Sequence, residues 1–147
     1  MPFFQKGEIF SQEHTVTLSK DQERIVGKIG YPDVFVLMME NDERREIWTY
    51  FDEGINCIFL DGKVTGFKEQ TGLTEDFYYP SVKPTQFFSG MAEKDIVRIF
   101  SQPSAVVEGS IEFVDGKVKI FDYFDQVRVG MVEGQVVYVQ TLPFALR

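Results

Sequence analysis

Residues 45–67, REIWTYFDEGINCIFLDGKVTGF, decide the fold, because the chain states their pattern twice. Residues 119–140 read KIFDYFDQVRVGMVEGQVVYVQ. Tyr50-Phe51-Asp52 returns as Tyr123-Phe124-Asp125, 73 positions later, and Gly62 and Val64 return as Gly134 and Val136, 72 later. The second stretch is therefore one residue shorter between those points. Each reads as strand, tight turn, strand, tight turn, strand. Asp61-Gly62 is among the strongest short hairpin signals, since its turn needs positive φ. Glu53-Gly54, Asp115-Gly116 and Glu133-Gly134 mark further turns, and Asp115-Gly116 is expected to close a two-residue hairpin.

Outward from these meanders, Ser19-Lys20-Asp21-Gln22 is a capping box, followed by Ile25, Val26 and Ile29 at helical spacing. Gly30 and Pro32 stop that helix, predicted over 20–29. Ile96, Val97, Phe100 and Pro103 repeat its pattern 71 positions on and predict a helix over 91–101. An apolar run at 34–39 supplies a further strand before the first meander, and strands are expected at 45–52, 55–60 and 63–68. The second set is expected at 105–114, 117–124, 127–132 and 135–142. The offset grows from 71 to 73 between helix and meander, which puts two extra residues in the first hairpin of the second copy. Helix then four-stranded meander, stated twice, is a tandem α+β unit. The expected organisation is an N-terminal segment (1–17), a first repeat (18–68), a connection (69–88) and a second repeat (89–147), each repeat a helix on its own four-stranded antiparallel sheet. The connection carries prolines among Phe77, Tyr78, Tyr79, Phe87 and Phe88. Such a segment reads as a packed strap across the two halves, because flexible linkers avoid aromatics.

The two copies resemble the helix-plus-meander proteins of the SmpA/OmlA type, outer-membrane assembly lipoproteins, and the tandem arrangement of the β-lactamase inhibitor protein. The resemblance rests on residues 20–32, Trp48-Thr49-Tyr50 and residues 59–64 in the first copy, and on residues 90–103 and Asp122-Tyr123 in the second. It departs at Phe121, where the Trp would fall, and the acylated Cys of the lipoprotein version is missing. The resemblance implies a non-catalytic, bacterial module that binds another protein, in the manner of an inhibitor, immunity or assembly factor.

Composition narrows the chemistry. The 147 residues carry a formal net charge of −8, which argues against nucleic acid and is compatible with a basic protein partner. The single Cys57 excludes a disulfide framework and a Cys-based zinc site, and the single His14 removes most histidine chemistry. Neither a G-x-G-x-x-G nor a Walker loop nor a calcium loop is present, and Ser89 and Ser101 lack the surroundings of a nucleophile elbow. Asp52, Asp61, Asp115, Asp122 and Asp125 sit at turns, where Asp is favoured for its side-chain hydrogen bonds. Cys57 reads as a packing thiol and His14 as a surface or cap residue. No cofactor, metal or catalytic activity is expected.

No apolar run approaches the roughly 18 residues of a membrane span. As numbered, the N-terminus shows no signal peptide and suggests the cytoplasm; a Met placed after a removed signal would suggest the periplasm or secretion.

Fifteen Phe, six Tyr and one Trp exceed what a core of this size needs. In a strand, alternate residues face opposite sides, so Trp48 and Tyr50 share one face while Ile47, Thr49 and Phe51 share the other. Phe121 groups with Tyr123. The aromatics are either core or an exposed surface. The functional expectation takes Trp48, Tyr50, Phe121 and Tyr123, with Phe77, Tyr78 and Tyr79 of the connection, as a protein-binding surface. The alternative is a small apolar ligand held between the repeats.

Overall fold

The computed structural model describes residues 10–71, 77–111, 114 and 116–145, with the backbone alone for Tyr78, Phe144 and Ala145. Helix α1 spans Lys20–Ile29 and α2 spans Glu93–Phe100. Strands β1 (Val34–Glu40), β2 (Glu43–Tyr50), β3 (Ile55–Leu60) and β4 (Lys63–Glu69) form the first meander. After the short β5 (Phe77–Tyr78) come β6 (Ala105–Gly109), β7 (Val118–Tyr123), β8 (Val127–Val132) and β9 (Gln135–Thr141). The two-residue β10 (Phe144–Ala145) pairs with β5.

The two meanders do not form separate sheets. One antiparallel eight-stranded sheet runs β4-β3-β2-β1-β9-β8-β7-β6, joined at its middle by Val36, Leu37 and Met38 of β1 opposite Gln140, Val139 and Tyr138 of β9. The outer strand of each meander would otherwise expose a ladder of unpaired backbone groups. Pairing β1 with β9 satisfies both edges at once.

Local sequence accounts for most turns. Asn41-Asp42, Asp61-Gly62, Phe124-Asp125 and Glu133-Gly134 all hold positive φ at both central residues, the type I′ geometry that matches strand twist. Between β2 and β3 the chain takes four residues, 51–54, and between β7 and β8 only three, 124–126. That one-residue difference is the shift from 73 to 72. Beyond it the ladders agree again: the register slips between Ile58 and Phe59 and likewise between Gly130 and Met131, leaving Thr65 and Val137 as bulged residues.

The expected two-residue hairpin at Asp115-Gly116 is not what forms. Strand β6 stops at Gly109, which pairs with Val118, so residues 110–117 make an eight-residue connection; Asp115 itself lies outside the described residues. Its apolar side chains explain why. Val118 is fully buried and Val114 nearly so, and a Cβ at Gly130 would sit 2.7 Å from Ile111 Cδ1 and 2.9 Å from Val118 Cγ1. Ile111 and Val118 thus pack over Gly130 of β8, and only a glycine leaves room for them.

Both helices lie on one face of the sheet. Ser19 caps α1 by accepting from the Gln22 N–H at 3.1 Å, and Gln22 Oε1 accepts from the Ser19 N–H. The same Ser19 donates its hydroxyl to Gly62 O at 2.6 Å, and Val64 N–H donates to Asp21 Oδ2. At the start of α2, backbone groups make the equivalent link: Glu93 N–H to Gly134 O and Val136 N–H to Met91 O. At the other helix ends, Tyr50 donates to Gly30 O at 2.7 Å and Tyr123 to Ser101 O at 2.9 Å.

Between the helices lies the strap. Pro80, Val82, Pro84, Thr85, Gln86 and Phe87 are all buried. Phe87 stacks on Phe100 of α2 with ring centroids 5.3 Å apart and lies 6.2 Å from the Phe35 ring of β1. Phe10 meets Phe100 edge-on, and Thr15 and Val16 N–H both donate to Thr85 O, which fastens the N-terminal segment over the strap.

Gly62 combines a φ of +84° with a close approach, since a Cβ there would fall 2.8 Å from Ser19 Cβ. Gly62→Val should therefore cost about 1–3 kcal/mol from backbone strain alone, with the clash at the α1 cap adding to it. Urea denaturation of wild type and variant checks this; an unchanged midpoint would refute the placement of α1 on the β3–β4 turn.

Candidate interaction surface

Alternation along the strands divides the sheet into a helix-covered and an open face. On the covered face, Phe35, Leu37, Trp48, Tyr50, Cys57, Phe59, Phe121, Tyr123, Val129 and Val139 are buried. Trp48, Tyr50, Phe121 and Tyr123, expected as an exposed aromatic surface, are core residues with 0–3% exposure. They pack beneath α1, α2 and the strap and are out of reach of any partner in this conformation. Burial pushes the Tyr50 and Tyr123 phenols well above the ordinary tyrosine range. From the connection, Phe77 and Tyr79 are half-buried, with Tyr79 stacked on Phe51 at 5.5 Å. Tyr78 pairs through its backbone with Phe144, and its side chain lies outside the described residues. The structure thus splits the expected set into four core residues and a strap edge.

The covered face also buries a charge. Glu46 is 2% exposed, yet its carboxylate is fully engaged. Trp48 Nε1–H donates to Oε1 at 3.0 Å, Gln22 Nε2–H to Oε2 at 2.8 Å, and Arg44 Nε–H to Oε2 at 3.2 Å. The rest of the Arg44 guanidinium donates to the strap carbonyls of Phe87 at 2.5 Å and Pro84 at 2.8 Å. One carboxylate therefore ties α1, β2 and the strap together.

The space between the halves on the helix side, where an apolar ligand is the alternative expectation, is occupied by Val82, Thr85, Gln86 and Phe87. The concavity lies on the other face. Cross-strand register sets Val36, Ile47 and Ile58 in one row and Met38, Arg45 and Leu60 in the next. These six, with Glu40, Asn41, Glu43 and Thr65, line an open groove of about 640 Å³. Ile47 is 41% and Leu60 37% exposed at its floor. Arg45 and Glu43 pair at 3.0 Å along its rim. Toward β6–β8 the same face changes character. Ile111 and Val118 close over Gly130, and Arg128, Tyr138 and Gln140 present polar groups. The groove therefore belongs to the first meander.

Sequence reasoning did not single out Val36, Met38, Arg45, Ile47, Ile58 or Leu60. The available signal was the alternation itself, which places Ile47 opposite in sense to Trp48.

The turn carboxylates serve the backbone. Asp61 accepts from Arg44 N–H, Asp33 from Phe51 N–H, and Asp122 from Asp125 N–H. Burial, with the hydrogen bond to Asp125 next, raises the Asp122 carboxyl above its usual range. Cys57 is fully buried and its thiol is pushed up by that burial, so it is an inert packing group. Exposed His14 holds Nδ1 2.5 Å from Thr85 Oγ1, on the strap. Among the described residues no three His, Cys, Asp or Glu side chains converge to hold a metal ion, and no helix is long and apolar enough to cross a membrane. Searches against protein-family models, curated proteins and solved structures find no match.

Removing the Glu46 carboxylate strands the buried donors of Gln22 and Trp48 and the part-buried Arg44 Nε–H. Glu46→Ala should destabilise the protein by about 3–5 kcal/mol, the range for breaking a buried pair, and should bring proteolytic cleavage to residues 80–88. Denaturant titration with timed limited proteolysis measures both; a loss below about 1 kcal/mol, the worth of a surface pair, would contradict the network.

Proposed function

We propose that the chain is a duplicated helix-plus-meander module, without catalytic activity, that binds another protein through the open sheet face of its first half. The duplication is supported by paired features at matching offsets: the Tyr50–Gly30 and Tyr123–Ser101 hydrogen bonds, the bulges at Thr65 and Val137, and the docking of each helix start on the following Gly turn. The same duplication motivates the likeness to SmpA/OmlA-type and β-lactamase-inhibitor-protein-type modules.

The observation that carries the binding reading is the groove of Val36, Met38, Ile47, Ile58 and Leu60 with Arg45 and Glu43 at its rim. An apolar floor with a charged rim, including Met and Arg, is the composition of protein-recognition patches. Its openness suits a protein surface better than a small molecule, which needs most of its area enclosed. From the connection, half-buried Phe77 and Tyr79 remain at the strap edge, with Tyr79 stacked on Phe51 of the β2–β3 turn.

Affinity capture from the source cell, with wild type beside the double variant Ile47→Asp, Leu60→Asp, tests the reading. Both side chains are exposed, so the variant should keep the wild-type melting temperature. A stoichiometric protein held by wild type should be lost, with affinity falling at least 100-fold. Equal recovery by both proteins would rule out the groove, and a bound small molecule detected by native mass spectrometry would favour the ligand reading.

A further inference from the structure

Among the described residues, strand β6 is the free edge at one end of the eight-stranded sheet, and β4 is the edge at the other. An edge strand presents a row of unpaired N–H and C=O groups and is a template for another strand unless something blocks it. The two edges differ in this respect. Strand β4 is broken by the bulge at Thr65, carries Lys63 and Lys68, and includes Gly66. Bulges and lysines are the ordinary means of protecting an edge. Strand β6, Ala105-Val106-Val107-Glu108-Gly109, keeps an unbroken register with β7 and has no lysine. Val106 and Val107 are 53% and 52% exposed, on opposite faces of the same strand.

We infer that β6 is a self-recognition edge, on which the β6 strand of a second copy of this chain pairs antiparallel to continue the sheet across a two-fold axis. The strand is self-complementary in one register. Centred on Val107, the pairing sets Val107 opposite Val107, Val106 opposite Glu108 and Ala105 opposite Gly109. All five residues take part, and no carboxylate faces another. Shifting the centre to Val106 would bring Pro103, which has no N–H to donate, opposite Gly109. The favoured register also extends the open-face row, because Val107 already lies beside Ile120 of β7. An isologous contact of this kind closes on itself and stops at two copies.

The contact is short, well below the roughly 1,200–2,000 Å² of stable interfaces, so it should assemble reversibly with concentration. Sedimentation equilibrium of the full chain is the test. Wild type should move from monomer toward twice the monomer mass between about 20 µM and about 1 mM, the regime of a weak contact. Amide exchange should slow at residues 105–109 over the same range. Val107→Lys puts two ammonium groups face to face on the axis and should weaken association at least tenfold; its exposure leaves the fold intact, checked by an unchanged melting temperature. Phe67→Lys on the β4 edge, and Ile47→Asp in the groove, should associate as wild type does. Wild type still monomeric at about 1 mM would overturn the inference and leave β6 to a different partner strand. A dimer indifferent to Val107→Lys, or one abolished by Phe67→Lys, would overturn it as well.

Discussion

The Glu46 carboxylate is the constraint on which the arrangement of layers depends. A lone carboxylate at 2% exposure would be prohibitive. Here it accepts from three donors, two on its own strand and one on α1. Gln22 comes from the first turn of α1, Trp48 from the same strand, and Arg44 from two residues back on that strand. Gln22 is also the residue that closes the α1 capping box with its carbonyl oxygen. One side-chain amide thus serves the helix cap at one end and the sheet at the other. If α1 slid or turned, both bonds would break together. Arg44 transmits the same constraint to the strap through the carbonyls of Pro84 and Phe87. Replacing such a network by hydrocarbon of the same shape need not destabilise a protein, so its value lies in specifying one arrangement of helix, sheet and strap.

Aromatic packing fills what that network positions. Phe87 is inserted from the strap between Phe35 of the first meander and Phe100 of α2. Phe100 in turn reaches Phe10 and Tyr123. Much of the aromatic content that suggests a binding surface goes into this packing. A helix on a four-stranded sheet buries too little by itself. The strap supplies the missing core where the halves meet, and the β1–β9 ladder supplies the backbone continuity. With α1, α2 and the strap all on one side, the other side of the first meander is left bare, and the groove is the consequence.

The elements themselves were legible in residues 19–69 and 90–141 because their signals are local. A capping box, a Gly stop and an Asp-Gly turn act over a few residues, so the helices and the hairpins at Asp61-Gly62 and Glu133-Gly134 sit where their sequences place them. The one-residue difference between the two meanders was also visible and falls in a turn, where length changes disturb no ladder. Asp115-Gly116 shows the limit of a local signal. The dipeptide favours a tight turn, but burying Ile111 and Val118 against Gly130 outweighs it and draws out a longer connection.

What only the tertiary structure decided is which side of each strand faces inward. Alternation assigns Glu46, Trp48 and Tyr50 to one side and Arg45, Ile47 and Thr49 to the other, and both sides mix charge with hydrocarbon. The charged Glu46 lies inside and the apolar Ile47 outside, the reverse of what each residue favours alone. Two of the donors that make Glu46 tolerable lie on its own strand, but the third, Gln22, is 24 positions away on a helix whose docking no local rule expresses. The joining of β1 to β9 is likewise a pairing across some 100 residues of chain. The sequence by itself determined the helices, the strands and most turns, since these depend on neighbours along the chain. The buried face, the single sheet and the open groove depend on neighbours in space, and they became definite only when the strap and both helices chose the same side.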